Sequence, residues 1–451
     1  MIIEEWVRHI AESRFENFDT EVVEQTKYRI IDVVGCMIGG ANAPGCSMVR
    51  DLVKEWGGQP QATILVHGVK APAHNVAMVN SIMARSFDYE VVSIHGDHVS
   101  ATTVPTAIAV AEWKHIGGKE FITALILGDD ITTRLRDASN YIPDMNWEAS
   151  GTMNRFGTTA IAGKLLGLNE HQMLNAFGII LDQLAGSFQS YKDGAHCFKL
   201  PQGLSARDGI ITAELANKGW TGVKDPLLSK CGYFALYCQT YHTEILTKEL
   251  GKKFYADCKF KPYPSCDGIH STIECTLNLV NEHDIKVEDI DEVTVNVAPA
   301  RRDSTLGQPF RIGDFPQVNA LFNLRYNVAN VLVRKGVKLE HFTEEFIRDP
   351  KVFDLTKKVT IISTIPSDKL RTAEVTVRMK DGREHFAHVA APKGDPIEKP
   401  LTKEEIEEKF RTNVAFSKTV TNENAEAALD MLKNLEEIDD ITKVVKLLVA
   451  Q

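Results

Sequence analysis

Along the first 250 residues, apolar side chains recur every three or four positions, which is the spacing of a buried helix face. The stretch "DTEVVEQTKYRIIDVVGCMIGG" sets Val23, Tyr28, Ile31, Val34 and Met37 along one side. It opens at Asp19 or Thr20, residue types that cap helices, and stops at Gly39-Gly40. "FITALILGDDITTRL" and "TTAIAGKLLGL" are rich in Ala, Leu, Ile and Gly with few polar breaks, and predict helices buried on most sides. "SARDGIITAELANKGW" predicts an amphipathic helix closed by Lys218-Gly219, and small residues on these faces predict close packing in a large helical bundle.

The period changes near residue 260. "DEVTVNVAP", "KKVTIIST" and "AEVTVRMKDGREHFAHVA" alternate β-branched and polar residues, and the last contains Asp381-Gly382, the preferred pair for a two-residue hairpin turn. "NALFNLRYNVANVLVRKG" between them reads as helical. Residues 261–396 are therefore expected to form a smaller α+β domain beside a helical domain of residues 1–260. "APKGDPIEKPLTKEEIEEKF" supplies a Gly/Pro-rich link and a Thr402-x-x-Glu405 capping box, after which residues 397–451 are expected to return to the helical domain.

Composition narrows the function classes. A chain of 451 residues with 43% hydrophobic and 25% charged residues is expected to be soluble, globular and multi-domain. Its formal net charge of −10 argues against general affinity for nucleic acid or anionic membrane, but leaves room for a local cationic pocket. The start, "MIIEEWVRHIAES", is acidic where a secretory signal would be basic, and no stretch approaches the ~18 apolar residues of a membrane span. The eight cysteines include no Cys-x-x-Cys pair and read as reduced thiols of a cytoplasmic protein. No metal-ligand or phosphate-binding motif occurs, so no metal and no cofactor is expected.

Candidate chemistry concentrates in "SFDYEVVSIHGDHVS", residues 86–100, which puts titratable groups between two apolar helical runs. Asp88 and His98 could form a carboxylate–imidazole pair for general acid/base work; His95 and Asp97 read as groups that solvate the loop. Lys261, between aromatics in "FKPYPSC", and Lys199, beside a turn into a helix in "CFKLPQGLSARDG", are candidate clamps for a carboxylate. Tyr326 in "FNLRYNVAN" reads on its own as a core residue.

Taken together, these segments resemble the MmgE/PrpD family over nearly the whole chain. "YRIIDVVGCMIGG" is similar to its first long helix and "ATILVHGVKAPAHNVAMVNSIMARSFDYE" to the stretch entering its active-site loop. "HVSATTVPTAIAVAE" is similar to the segment after that loop, and "GLSARDG", "FKPYPSC", "FNLRY" and "PLTKEEIEEKF" to later blocks. The resemblance implies a helical domain with an inserted α+β lid, a homodimer, and metal-independent chemistry on a small di- or tricarboxylate at a carbon next to a carboxylate. It carries catalytic roles to Asp88, His98 and Tyr326 and a substrate-binding role to Lys261.

Several positions depart from the family pattern. A second family histidine aligns with Glu148, a loop threonine with Val92, and further loop acids with Glu90 and Val91. A lysine aligns with Phe198, leaving Lys199 one place off, and a decarboxylase histidine aligns with Cys266. These departures set the chain apart from cis-aconitate decarboxylase. The reading is therefore a cofactor-independent lyase or isomerase, with a 2-methylcitrate dehydratase-like hydro-lyase first. The alternatives are an epimerase of an iminodisuccinate-like dicarboxylate and a non-catalytic carboxylate binder. In this reading His98 moves the proton, Asp88 orients it and Tyr326 donates to the leaving group or to the opposite face. Glu148 is a second acid/base group, while Lys199, Lys261, Arg155 and Cys266 hold the substrate.

Overall fold

The structure, a computed structural model, describes residues 1–142, 146–254 and 258–450. It is mainly α, about 58% helical with 9% strand, as the hydrophobic spacing requires.

The expected helices form with shifted ends: Thr20–Gly40, Gly118–Ala138, Met153–Leu165 and Leu200–Asn217. Ala73–Arg85 and Ser100–Lys114, either side of the candidate loop, are buried along nearly their whole length. Leu200–Asn217 packs against Ala73–Arg85 and Met153–Leu165, and the last of these also packs against Gly118–Ala138. That crossing depends on two glycines. A Cβ on Gly128 would lie 2.8 Å from the Gly157 carbonyl oxygen, and one on Gly157 would lie 2.6 Å from that of Gly128.

The tail returns to these helices. Lys403–Ser417, opened by the expected Thr402–Glu405 capping box, packs along Thr20–Gly40. Lys409 there forms a buried 2.6 Å ion pair with Asp32 and donates to the Tyr89 carbonyl at 2.6 Å, while Asp32 accepts from the Val91 amide at 2.6 Å. Burial pushes the Asp32 carboxyl up, and Lys409 and the Val91 amide oppose that shift. One ion pair thus ties two distant helices to the backbone of the candidate loop.

Downstream, four strands lie in the order Val359–Ile362, Ile290–Val297, Ala373–Met379, Glu384–Val389; the first pair is parallel and the others antiparallel. The helices His270–Glu282 and Leu324–Arg334 pack on this sheet. Two expectations are corrected. The hairpin loop is three residues, Lys380 to Gly382: Gly382 takes the left-handed conformation (φ 88°), and the Met379 amide donates to the Arg383 carbonyl. The stretch "NALFNLRYNVANVLVRKG" divides into Pro316–Leu321 and Leu324–Arg334, because Asn323 leaves helical geometry and its side chain caps the second helix through the Tyr326 amide.

A two-residue antiparallel pairing, Val92–Ser93 with Cys258–Lys259, joins the loop after Asp88 to the segment before Lys261. One apolar core runs without a break from Ile31 and Met37 of the helices to Val293 and Val375 of the sheet. Among the described residues no helix is long and apolar enough to cross a membrane.

Candidate active site

The helix Ala73–Arg85 ends inside the protein, and Arg85, Asp88 and Lys261 shape the turn that leaves it. Asp88 sits in the left-handed region (φ 49°), a strained conformation for a non-glycine residue, and its amide bonds back to the Arg85 carbonyl. Arg85 and Asp88, three apart, form a fully buried ion pair through Arg85 Nη1 and Asp88 Oδ1. Lys261 adds a second cation: its Nζ lies 3.2 Å from Asp88 Oδ1 and also bonds the Asp88 carbonyl. Burial alone would raise the Asp88 pKa, but Arg85, Lys261 and His98 outweigh it and pull it down to about 2. Asp88 is an anchored anion.

His98 belongs to this group through both ring nitrogens. Nδ1 is 2.7 Å from Glu90 Oε1, and Nε2 is 3.4 Å from Asp88 Oδ1. A carboxylate accepts, so the Glu90 contact fixes the proton on Nδ1 of the neutral ring and leaves Nε2 as the exchanging atom. Glu90 is held ionised: His98 and then Arg85 overcome the upward push of burial. The closer contact comes from Glu90, to which the sequence reading assigns no role, while Asp88, expected to orient the ring, stands 3.4 Å from its other nitrogen.

Arg85 links this group to a second one. Its Nη2 donates to the Tyr191 hydroxyl at 3.2 Å, and that hydroxyl donates to Glu148 Oε1 at 3.0 Å; Gln202 Nε2 donates to the same oxygen at 2.8 Å. Glu148 Oε2 is buried and has no hydrogen-bond partner. Burial raises the Glu148 pKa against the opposing pull of Arg85, Tyr191 and His98, which favours its protonated form.

Arg85, His98, Glu148, Tyr191 and Cys266 line one cavity of about 720 Å³. Other parts of its wall come from Ser150, Arg301, Leu306, Phe322 and Asn323, so the cavity draws on both the helical segment and residues 261–396. Such a volume suits a small organic ligand. His95 and Asp97 also line it, paired with Asp137 at 3.3 Å and Arg136 at 2.8 Å. Asp88, Glu90 and His98 offer three ligand atoms within 4.8 Å of one another, a set able to hold a metal ion. Arg85 and Lys261 already engage the same carboxylates, so an added cation would have to displace them.

The structure positions other candidates away from the wall. Tyr326 is fully buried between Phe310 and Phe342, and its hydroxyl donates to the His341 carbonyl, so it packs the core beside the sheet. Lys199 Nζ donates to the Pro44 carbonyl at 2.7 Å and to Ser86 Oγ at 3.0 Å, while burial lowers its pKa. The aligned position, Phe198, lies under the Arg85 guanidinium with 5.2 Å from its carbon to the ring centre. Arg155 is paired with Asp208 at 2.9 Å and donates to the Gly151 and Gln183 carbonyls, holding helix ends together. Lys261 is committed to Asp88. Lys261→Met should therefore lower the melting temperature, since removing one partner of a buried ion pair costs about 3–5 kcal/mol and Arg85 would soften that loss. Thermal unfolding beside calorimetry with a carboxylate would separate this from loss of a substrate clamp.

Comparison with known proteins agrees with this architecture. The MmgE/PrpD N-terminal domain matches residues 4–246 and the MmgE/PrpD C-terminal domain residues 263–445. The chain belongs to the MmgE/PrpD family. It is similar to cis-aconitate decarboxylase of Aspergillus terreus, 24% identical over 98% of this chain and 94% of the relative. It is also similar to the cis-aconitate decarboxylases of Homo sapiens, 24% identical over 95% and 90%, and Mus musculus, 21% identical over 95% and 89%.

Proposed function

We propose that the protein is a lyase of small di- or tricarboxylates that moves a proton at a carbon next to a carboxylate, with water as the leaving group. The observation that carries this reading is the pairing, on one cavity wall, of an oriented imidazole with a buried glutamic acid held toward its protonated form. His98 Nε2 takes the α-proton, and the C–H electron pair forms the carbon–carbon double bond. The adjacent carbon–oxygen bond breaks, and Glu148 protonates the departing hydroxyl, releasing water. His98 returns its proton to solvent and Glu148 is reprotonated from it, which closes the cycle. Arg85 stabilises negative charge that builds on the substrate in this low-dielectric setting. The same reading treats residues 261–396 as a lid over the helical unit of residues 1–260 and 397–451; that both segments line the cavity supports it.

The relatives' names favour a second reading, decarboxylation. There the carbon–carbon bond to a carboxylate breaks, carbon dioxide leaves, and a protonated Glu148 or His98 delivers the proton to the resulting carbanion.

Incubating the protein in D2O with a panel of di- and tricarboxylates, read by proton NMR and by carbon dioxide release, decides between these. Loss of water with deuterium exchange is the expected result. Carbon dioxide release from cis-aconitate would establish the second reading, and exchange with inversion alone would establish epimerisation. No exchange and no product across the panel would sink the carbon-acid mechanism.

A further inference from the structure

The buried cations around the cavity are already committed, and Lys192 and Arg311, which also line it, are exposed to solvent. Arg85 and Lys261 hold Asp88, Lys259 lies 2.5 Å from Asp267, and Lys199 is bonded to the Pro44 carbonyl and Ser86. Arg301 is different. It lies in the short helix Pro299–Asp303, lines the cavity and is half-buried, yet among the described residues its guanidinium has no carboxylate partner and donates no hydrogen bond. Its Nε is fully buried without a partner. Leaving that N–H without an acceptor is costly, because a buried donor has lost its water and gained no partner.

The surroundings of Arg301 are fitted to it. A Cβ added to Gly268 would lie 2.6 Å from Arg301 Nη1 and 2.8 Å from its Cζ, so the guanidinium rests against bare backbone that any side chain would obstruct. Cys266, on the same wall, is small enough to leave the approach open, and Arg301 is among the charges that act on its thiol. Planar guanidinium donors match a carboxylate two bonds at a time.

We infer that Arg301 is the receptor for a substrate carboxylate remote from the reacting carbon, and so sets a preference for tricarboxylates over dicarboxylates. This rests on the proposed carboxylate chemistry and deepens it. An incoming carboxylate supplies the partner that the protein withholds, so binding and neutralisation coincide.

The test uses two probes that cannot lose water, tricarballylate and glutarate, which lacks its central carboxylate. Calorimetry of the full chain should show tricarballylate binding the wild type more tightly than glutarate. Arg301→Gln should weaken tricarballylate at least tenfold and narrow the gap between the probes, with no loss of melting temperature because no internal ion pair is broken. Gly268→Ala keeps the charge but displaces the guanidinium, and should weaken the same probe in the same direction. With an identified substrate, Arg301→Gln should raise KM far more than it lowers kcat. If the wild type binds tricarballylate and both variants bind it equally well, Arg301 is no receptor while the functional reading stands. If the wild type binds neither probe, both fail.

Discussion

His98→Gln should reduce turnover by at least ~10²-fold, the range for removing a general acid/base, while leaving substrate binding within a few-fold. The geometry makes this a sharp test. Gln can still reach toward Glu90, so the buried carboxylate that now lies 2.7 Å from Nδ1 keeps a donor and the fold should survive. What it lacks is a ring nitrogen that can both accept and release a proton. Glu90→Gln should lower turnover by a smaller factor, because an amide beside Nδ1 orients the ring without favouring its charged form. If His98→Gln retains near-normal turnover on an identified substrate, the imidazole serves the loop alone. Single-turnover kinetics, with thermal unfolding as the control for folding, would measure both variants.

How much of the fold and site is legible in the sequence depends on the range of the signal. The helices are local, and their period survives in "TEVVEQTKYRIIDVVGCMIGG" and "EFITALILGDDITTRL". Asp88 and His98 stand out because titratable groups between two apolar runs are conspicuous. Arg85 escapes notice, although one clue is present: an arginine closing a buried helix that carries no other Lys or Arg, three residues before an aspartate. Tyr191 and Gln202 carry no such clue. Each reaches Glu148 only because separate helices converge, and neither residue type at its position signals burial beside a carboxylate.

The lysines mislead for a related reason. Lys199 and Lys261 flank turns and aromatics, as anion-binding residues do, but such spacing does not reveal whether a protein group already takes the charge. For Lys261 the partner lies 173 positions away, across the short strand pairing that brings residue 259 to residue 92. Tyr326 owes its catalytic assignment to family resemblance, whereas its residue-level reading as core agrees with its packing between Phe310 and Phe342. The informative distinction is between a cation that is near the site and one that is free within it. That quantity emerges only from pairing in three dimensions.

Glu148→Gln should abolish turnover and, at the same time, stabilise the protein at neutral pH. The two effects have one origin. Two donors, Tyr191 and Gln202, converge on Oε1, and Oε2 is buried without a partner, so the carboxylate is poorly solvated and the protonated form is favoured. A carboxyl whose pKa is raised in the folded state binds its proton more tightly than in the unfolded chain. Its contribution to stability therefore declines as pH rises above the ordinary value of 4.5 and is fully lost once the folded group ionises. Gln keeps the shape and accepts from the same two donors, but it has no ionisation to suppress. The variant should unfold later than the wild type at pH 7, and the difference should shrink as pH is lowered toward 4.5. Arg85 keeps Asp88 as its partner, so the substitution strands no charge. In turnover, Gln cannot deliver a proton to a departing hydroxyl, so the rate should fall by ~10²-fold or more with binding preserved. A stabilised variant with normal turnover would leave Glu148 a buried acid outside the chemistry. A destabilised variant would mean that the carboxylate is ionised and paired, and the proton for the leaving group would have to come from His98.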